Sequence, residues 1–163
     1  MLTLRKLFPW ILVVLWMTLI YNFSAQPAVH SEQLSMGVTE VVVETLNQVI
    51  PHSNLSVEGF DHIVRKNAHF FIYLMLAIWV SYALQKSGVT GRKGFFLAIG
   101  ICFLYAVTDE IHQIYVPGRG PQIRDVLIDS CGALVGIGLF RLGSMALKKW
   151  VGHRGDKRRP SSI

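Results

Sequence analysis

Charge is what this sequence has least of for its length. Asp, Glu, Lys and Arg make up 16% of its 163 residues and apolar residues 52%, whereas a water-soluble domain ordinarily carries about 25% charged residues. Too little charge is left to coat a water-facing surface, so lipid must supply part of the solvent, in keeping with a mean hydropathy of +0.41. Acid is scarcer than base, with 10 Asp and Glu against 16 Lys and Arg and a net charge of +6. A basic excess is a feature of nucleic-acid binders, but these cations cluster beside apolar runs rather than along a base-stacking or groove-entering element, and nucleic acid is not expected as a partner. Cysteine is nearly absent. Cys102 and Cys131 each lie inside an apolar stretch, with no CxxC pair and no Cys/His metal spacing, so both read as small hydrophobes rather than cross-links or ligands. Internal repeats and low-complexity tracts are missing too.

Apolar runs are what the chain does have. Leu7 to Phe23 and Ala68 to Leu84 are uncharged stretches of about 17 residues, the lower end of what crosses a bilayer. Gly94 to Thr108 is shorter and needs Glu110 to Tyr115 to continue its helix toward the interface. Val126 to Leu147 is long enough but contains Asp129 and Arg141, which must face the bundle or snorkel. Arg5 and Lys6 ahead of the first run also resemble a secretory signal. That run exceeds the usual 7–15 apolar residues of a signal, and no clean small-x-small cleavage site follows, so a retained anchor is expected.

Positive charge close to spans stays on the cytoplasmic side, which orients the bundle. With the N-terminus inside, twelve cations and one acid, Asp156, fall inside, whereas four cations (Arg65, Lys66, Arg119 and Arg124) and nine acids fall outside. Only an even number of spans with both termini inside places every basic cluster correctly. The expected fold is therefore an all-α integral membrane protein with four transmembrane helices, N-in and C-in.

The outer connection between the first two spans begins with the loop composition Ser24-Ala25-Gln26-Pro27. Beyond it Leu34, Val38, Val41, Val42, Thr45 and Val49 recur at helical spacing, and Pro51 ends the pattern. An extracytoplasmic amphipathic helix is expected, packed on the bundle because its acidic residues suit anionic lipid poorly; Val41-Val42-Val43 also permits a strand. The chain then divides into residues 1–30, the anchor and start of the outer loop; 31–64, the extracytoplasmic segment; 65–147, a core of three spans; and 148–163, a basic cytoplasmic tail.

Three polar groups meet at the outer surface under this topology. On the second span Lys66, His69 and Tyr73 fall at i, i+3 and i+7, one stripe running into the bilayer. Taken alone, such a stripe reads first as an interfacial anchor. The third span ends in Asp109 and Glu110, each costing about 2.5–3.5 kcal/mol in hydrocarbon even on a lenient scale, so both require compensation. Asp109 and Gln113 share a face, whereas Glu110 points about 100° away and needs a different partner. Pro117-Gly118 then turns the chain toward Arg119. The fourth span opens with Arg124, and its Asp125, Asp129, Gly132 and Gly136 line one face, two acids above a small-residue seam. Asp129 lies a turn inside the apolar run, with Lys66, His69, Arg119 or Arg124 as its candidate partner. The seam is a packing face, and a second copy of the chain is one partner it could take. A structural bundle needs only one or two polar pairs, so a cluster of this size points to a site.

Arg65-Lys66-x2-His69-Phe70-x2-Tyr73, Asp109-Glu110-x2-Gln113-x3-Pro117-Gly118-Arg119 and Asp125-x3-Asp129-x2-Gly132-x3-Gly136 together resemble the VanZ-like family over roughly residues 55 to 145. These are small bacterial membrane proteins, named for a member of a glycopeptide-resistance cluster that lowers sensitivity to teicoplanin. Asp129 departs from the family pattern, which generally carries Asn there. The resemblance implies a multi-pass protein of the bacterial cell membrane with an envelope role. Two classes of function follow. In one, Lys66, Arg119 and Arg124 meet the phosphates of a lipid headgroup or lipid-linked cell-wall intermediate, while Asp109 and Glu110 hold those cations or engage hydroxyls. In the other, the protein is an enzyme on such a lipid, with His69, Glu110 or Asp109 in acid–base roles. No cofactor is expected; a divalent metal beside the carboxylates is compatible with the residues but not compelled by them. Transport is a weaker reading, since four short spans offer little room for alternating access.

Overall fold

The computed structural model describes residues 2–49 and 57–156, and within these the chain is five helices with no strand. They are α1 Leu2–Ser24, α2 Ala28–Val49, α3 Val57–Lys86, α4 Gly91–Gln113 and α5 Ile123–Asp156. Four are long and apolar enough to cross a membrane, over Leu4–Ser24, Ile63–Lys86, Gly91–Gln113 and Ile123–Trp150. This is a multi-pass membrane protein. The third span, marginal from its apolar residues alone, reaches 23 residues because Asp109, Glu110 and Gln113 stay helical. Each of the three is buried, so the bundle and not lipid surrounds them.

α3 is the central helix, packed against each of the other four. Its inward residues Tyr73, Leu76, Ala77, Val80 and Ala83 are no more than 1% exposed. The closest approach is to α5. A Cβ on Gly132 would stand 2.2 Å from the Phe70 carbonyl oxygen, and one on Gly136 2.3 Å from that of Leu74. Only glycine admits such backbone contact, which substitutes dispersion for the hydrophobic drive that lipid does not provide. Gly132 and Gly136 thus lie against α3 of the same chain. α4 joins through its own small residues Ala98, Cys102 and Ala106, spaced four apart and buried.

α1 is fastened along its length by side chains that return backbone polarity to the bundle. Trp10 Nε1 donates to Ser87 Oγ at 3.0 Å, Trp16 Nε1 to the Ile72 carbonyl at 2.9 Å, and the Tyr105 hydroxyl of α4 to the Met17 carbonyl at 2.5 Å. The Trp10–Ser87 contact sets the N-terminal end of α1 beside the α3–α4 turn. Basic residues Arg5, Lys6, Lys86, Arg92 and Lys93 thereby gather at one end of the bundle, and Ser24, Lys66, Gln113 and Ile123 lie at the other. Leu7, Phe8, Ile11, Phe96, Leu104, Leu139 and Leu142 are half or more exposed and form the apolar belt that a bilayer would cover.

α2 is helical through Val41-Val42-Val43 and packs on α3. Its orientation differs from the one the apolar spacing predicts. Thr39 and Val43 are buried, whereas Val38 and Val41 are more than half exposed. Two local bonds explain the rotation. The Ala28 N–H donates to the Pro117 carbonyl at 3.3 Å, fixing the start of the helix. The Thr39 hydroxyl donates to the Ser35 carbonyl at 2.8 Å, so it enters the interface without an unmet donor. Pro51, expected to end this helix, lies outside the described residues, as does the tail beyond Asp156.

Candidate functional site

The site is built at the non-basic end, where α3, α4 and α5 converge above the glycine seam. Because Gly132 brings α5 onto α3, the acids one and two turns before it are carried to the α3 polar stripe. The Lys66 ammonium pairs with the Asp125 carboxylate and also donates to Gln122 Oε1 at 3.2 Å. One turn deeper, His69 Nδ1 stands 3.4 Å from Asp129 Oδ1. Of the partners open to Asp129, the fold selects His69. That distance is longer than a well-formed hydrogen bond, and Asp129 is fully buried.

The α4 carboxylates part as their 100° offset requires. Asp109 turns toward the buried Ser24 of α1. Glu110 Oε2 accepts the Gln122 backbone N–H at 2.7 Å, joining the end of α4 to the entry of α5. Between them runs the turn through Pro117 and Gly118. Gly118 has φ +76°, and a Cβ there would lie 3.1 Å from the Ala28 side chain. A glycine therefore meets both needs of this turn, the left-handed backbone and the close approach of α2.

Several buried polar atoms at this end have no hydrogen-bond partner among the described residues. They are the Ser24 and Tyr73 hydroxyls, Glu110 Oε1, His112 Nε2, Gln113 Nε2, Arg119 Nε and both oxygens of Asp129. Each would cost about 1–3 kcal/mol if left unmet. Only the Ser81 hydroxyl shares that condition elsewhere, toward the basic end. Concentration at one end is a reason to look for something polar that binds there.

A cavity of about 310 Å3 opens beside this cluster, walled by α1, α2 and α3 and closed by Arg119. Its polar lining is Ser24, Gln26, Ser31, Ser35, Arg65, His69, Tyr73 and Arg119; its apolar lining is Ile20, Phe23, Val38, Val64, Ala68 and Ile72. Burial, and next the neighbouring Arg65 charge, pull the Arg119 guanidinium below its ordinary basicity, against the carboxylates around it. An anion held between the two guanidinium groups would relieve their repulsion. Arg124, by contrast, is exposed and does not line the cavity. Among the described residues no three His, Cys, Asp or Glu side chains converge as a metal site.

A family model described as VanZ/LLP1 matches residues 8–144. The chain belongs to the VanZ/LLP1 family. No curated protein and no solved structure matches it. The VanZ/LLP1 match begins in α1, ahead of the motifs that carry the resemblance. α1 contributes Ile20, Phe23 and Ser24 to the cavity of this VanZ/LLP1 chain, and the motif residues occupy only its α3 and Arg119 sides.

Several participants were not expected from the sequence. Ser24 reads as the start of a loop, yet it is the buried neighbour of Asp109. Gln122, which carries no motif signal, bonds both Lys66 and Glu110. Arg65 reads as an outer cation but lines the cavity, and His112 stacks on Tyr21 with ring centroids 4.4 Å apart. For Arg65 a signal existed, since its motif neighbour Lys66 faces elsewhere. For Ser24 and Gln122 none did, because their roles depend on contacts with distant helices.

Proposed function

We propose that this VanZ/LLP1 member binds a phosphate-bearing membrane amphiphile, a lipid headgroup or lipid-linked envelope intermediate, at the outer face of the bacterial cytoplasmic membrane. The observation that carries the reading is the two-sided lining of the cavity. Arg65 and Arg119 offer guanidinium groups to a phosphate, His69 and Tyr73 offer a ring nitrogen and a hydroxyl, and Ile20, Phe23 and Ile72 continue as an apolar wall. Guanidinium forks suit phosphate oxygens better than a point charge does. A water-soluble ligand would have no use for the wall. At about 310 Å3 the space suits a headgroup rather than a whole lipid, so the acyl chains would remain in the bilayer. Basic clustering at the opposite end supports an orientation with both termini inside, which puts this site outside. Family membership makes reduced teicoplanin sensitivity the phenotype to examine.

Lipid extracted from purified protein and from its Arg119→Ala form tests the reading by mass spectrometry. One phosphate-bearing species should be enriched over bulk membrane in the first and fall to the bulk level in the second. Identical profiles would refute binding at this site.

Catalysis on the same lipid is the second reading, and one observation favours it. His69 directs Nδ1 at the buried Asp129 carboxylate while the imidazole lines the cavity, an arrangement in which the acid orients the ring and Nε2 can exchange a proton. Formation of product from envelope lipid by the purified protein, lost in Asp129→Asn, would establish it over binding alone.

A further inference from the structure

At the basic end of the bundle a second cavity of about 300 Å3 lies between α3, the start of α4 and the second half of α5. On α5 it is lined by Arg141, Ser144 and Lys148, spaced i, i+3 and i+7 on one face. Ser81 and Gln85, at i and i+4, line the α3 side. Ser81 is 93% buried, and its hydroxyl has no partner among the described residues. Arg141 does more than snorkel. Its Nη2 donates to the Gly91 carbonyl at 2.5 Å, and its guanidinium lies 5.0 Å from the centre of the Phe95 ring. Those contacts fix the group while using one of its five N–H donors.

We infer that this cavity is a headgroup site for an anionic glycerophospholipid, with the phosphodiester on Arg141 and a hydroxylated headgroup on Ser81 and Gln85. Three features select that ligand. The fixed guanidinium and Lys148 supply positive charge at two depths, about 10 Å apart along α5, and no Asp or Glu lines the space to neutralise them. The unmet Ser81 hydroxyl needs a polar partner at the buried end, which a headgroup alcohol provides and an acyl chain does not. Phe140 and Met145 on the same lining offer an apolar exit for the chains into the membrane. A choline headgroup would set a quaternary ammonium against Arg141 and Lys148, so zwitterionic lipid is disfavoured. Basic pockets between transmembrane helices on the cytoplasmic side take anionic headgroups in this way. The site is separate from the cavity at the other end and does not depend on what that cavity binds.

Native mass spectrometry of the intact, detergent-purified chain, with added dioleoylphosphatidylglycerol or dioleoylphosphatidylcholine, tests the inference. Phosphatidylglycerol should be retained in preference to phosphatidylcholine. Arg141→Gln should weaken that retention about five- to tenfold and Lys148→Gln about fivefold, while Arg5→Gln, an exposed basic residue that lines neither cavity, leaves it unchanged. Lys148 is exposed, so its substitution tests the site even if Arg141→Gln fails to fold. Equal retention of the two lipids, or phosphatidylglycerol retention indifferent to both substitutions, would overturn the proposal. Displacement of the bound species by millimolar inorganic phosphate would overturn it in favour of a free-anion site.

Discussion

His69 and Asp129 face each other at 3.4 Å because Gly132, three residues after Asp129 on α5, lies against the α3 backbone at Phe70, the residue after His69. A packing contact and a polar pair are thus one feature. The glycine sets the distance between helices, and that distance brings an imidazole to a fully buried carboxylate.

Gly132→Ala follows directly from this relationship. Its Cβ would stand 2.2 Å from the Phe70 carbonyl oxygen, a backbone atom that cannot rotate away, so the helices must part. We expect a loss of about 1–3 kcal/mol, read as a lower melting temperature in detergent. Gly138→Ala, whose Cβ would meet nothing within 4 Å, is the control and should melt like the parent. Equal melting of the two variants would mean that the seam does not set the α3–α5 distance.

Tyr73→Phe separates a ligand site from a structural network. Tyr73 is 1% exposed, and its hydroxyl has no partner among the described residues. Removing that hydroxyl should leave the ligand-free protein as stable or more stable by about 1 kcal/mol, and should weaken lipid retention at least fivefold. Thermal melting before and after delipidation, paired with lipid quantification, reads both effects. A large loss of stability without lipid would show that the hydroxyl serves the fold.

Glu110→Gln keeps an oxygen for the Gln122 N–H, which Glu110 Oε2 accepts at 2.7 Å, but removes the charge. The protein should accumulate normally in the membrane, while lipid retention and, on the proposed envelope role, protection against teicoplanin fall by about tenfold or more. Glu110→Leu removes the acceptor as well and breaks the tie between the end of α4 and the entry to α5, so its abundance should fall. Immunoblots of membrane fractions beside susceptibility tests distinguish the two.

Orientation is checked by cysteine accessibility. In a chain with Cys102 and Cys131 replaced by alanine, a cysteine at Tyr115, which is 80% exposed, should react with an impermeant thiol reagent in whole cells. One at Arg92, exposed at the opposite end, should react only after lysis. The reverse pattern would turn the bundle over and place the Arg65–Arg119 cavity on the cytoplasmic side.

Composition and spacing alone determine that this chain enters a membrane, that four of its segments span it, and that polar residues from three of them share one end. These are properties of single helices: apolar length against bilayer thickness, and residues placed by a period of 3.6. The glycine seam is legible for the same reason, since small residues four apart on a span mark a close contact. Tertiary structure alone decided which partners meet. Asp129 had four cations or imidazoles within sequence reach and takes His69, because the closest helix pair is α3 with α5. α2 turned Thr39 and Val43 inward rather than its most apolar stripe, because its first residue is tied to Pro117. Ser24, Arg65 and Arg119 line one cavity only because α1 and the turn after α4 both close on α3. Such relationships arise between helices, where helical period carries no information, and depend on the backbone distances that packing sets.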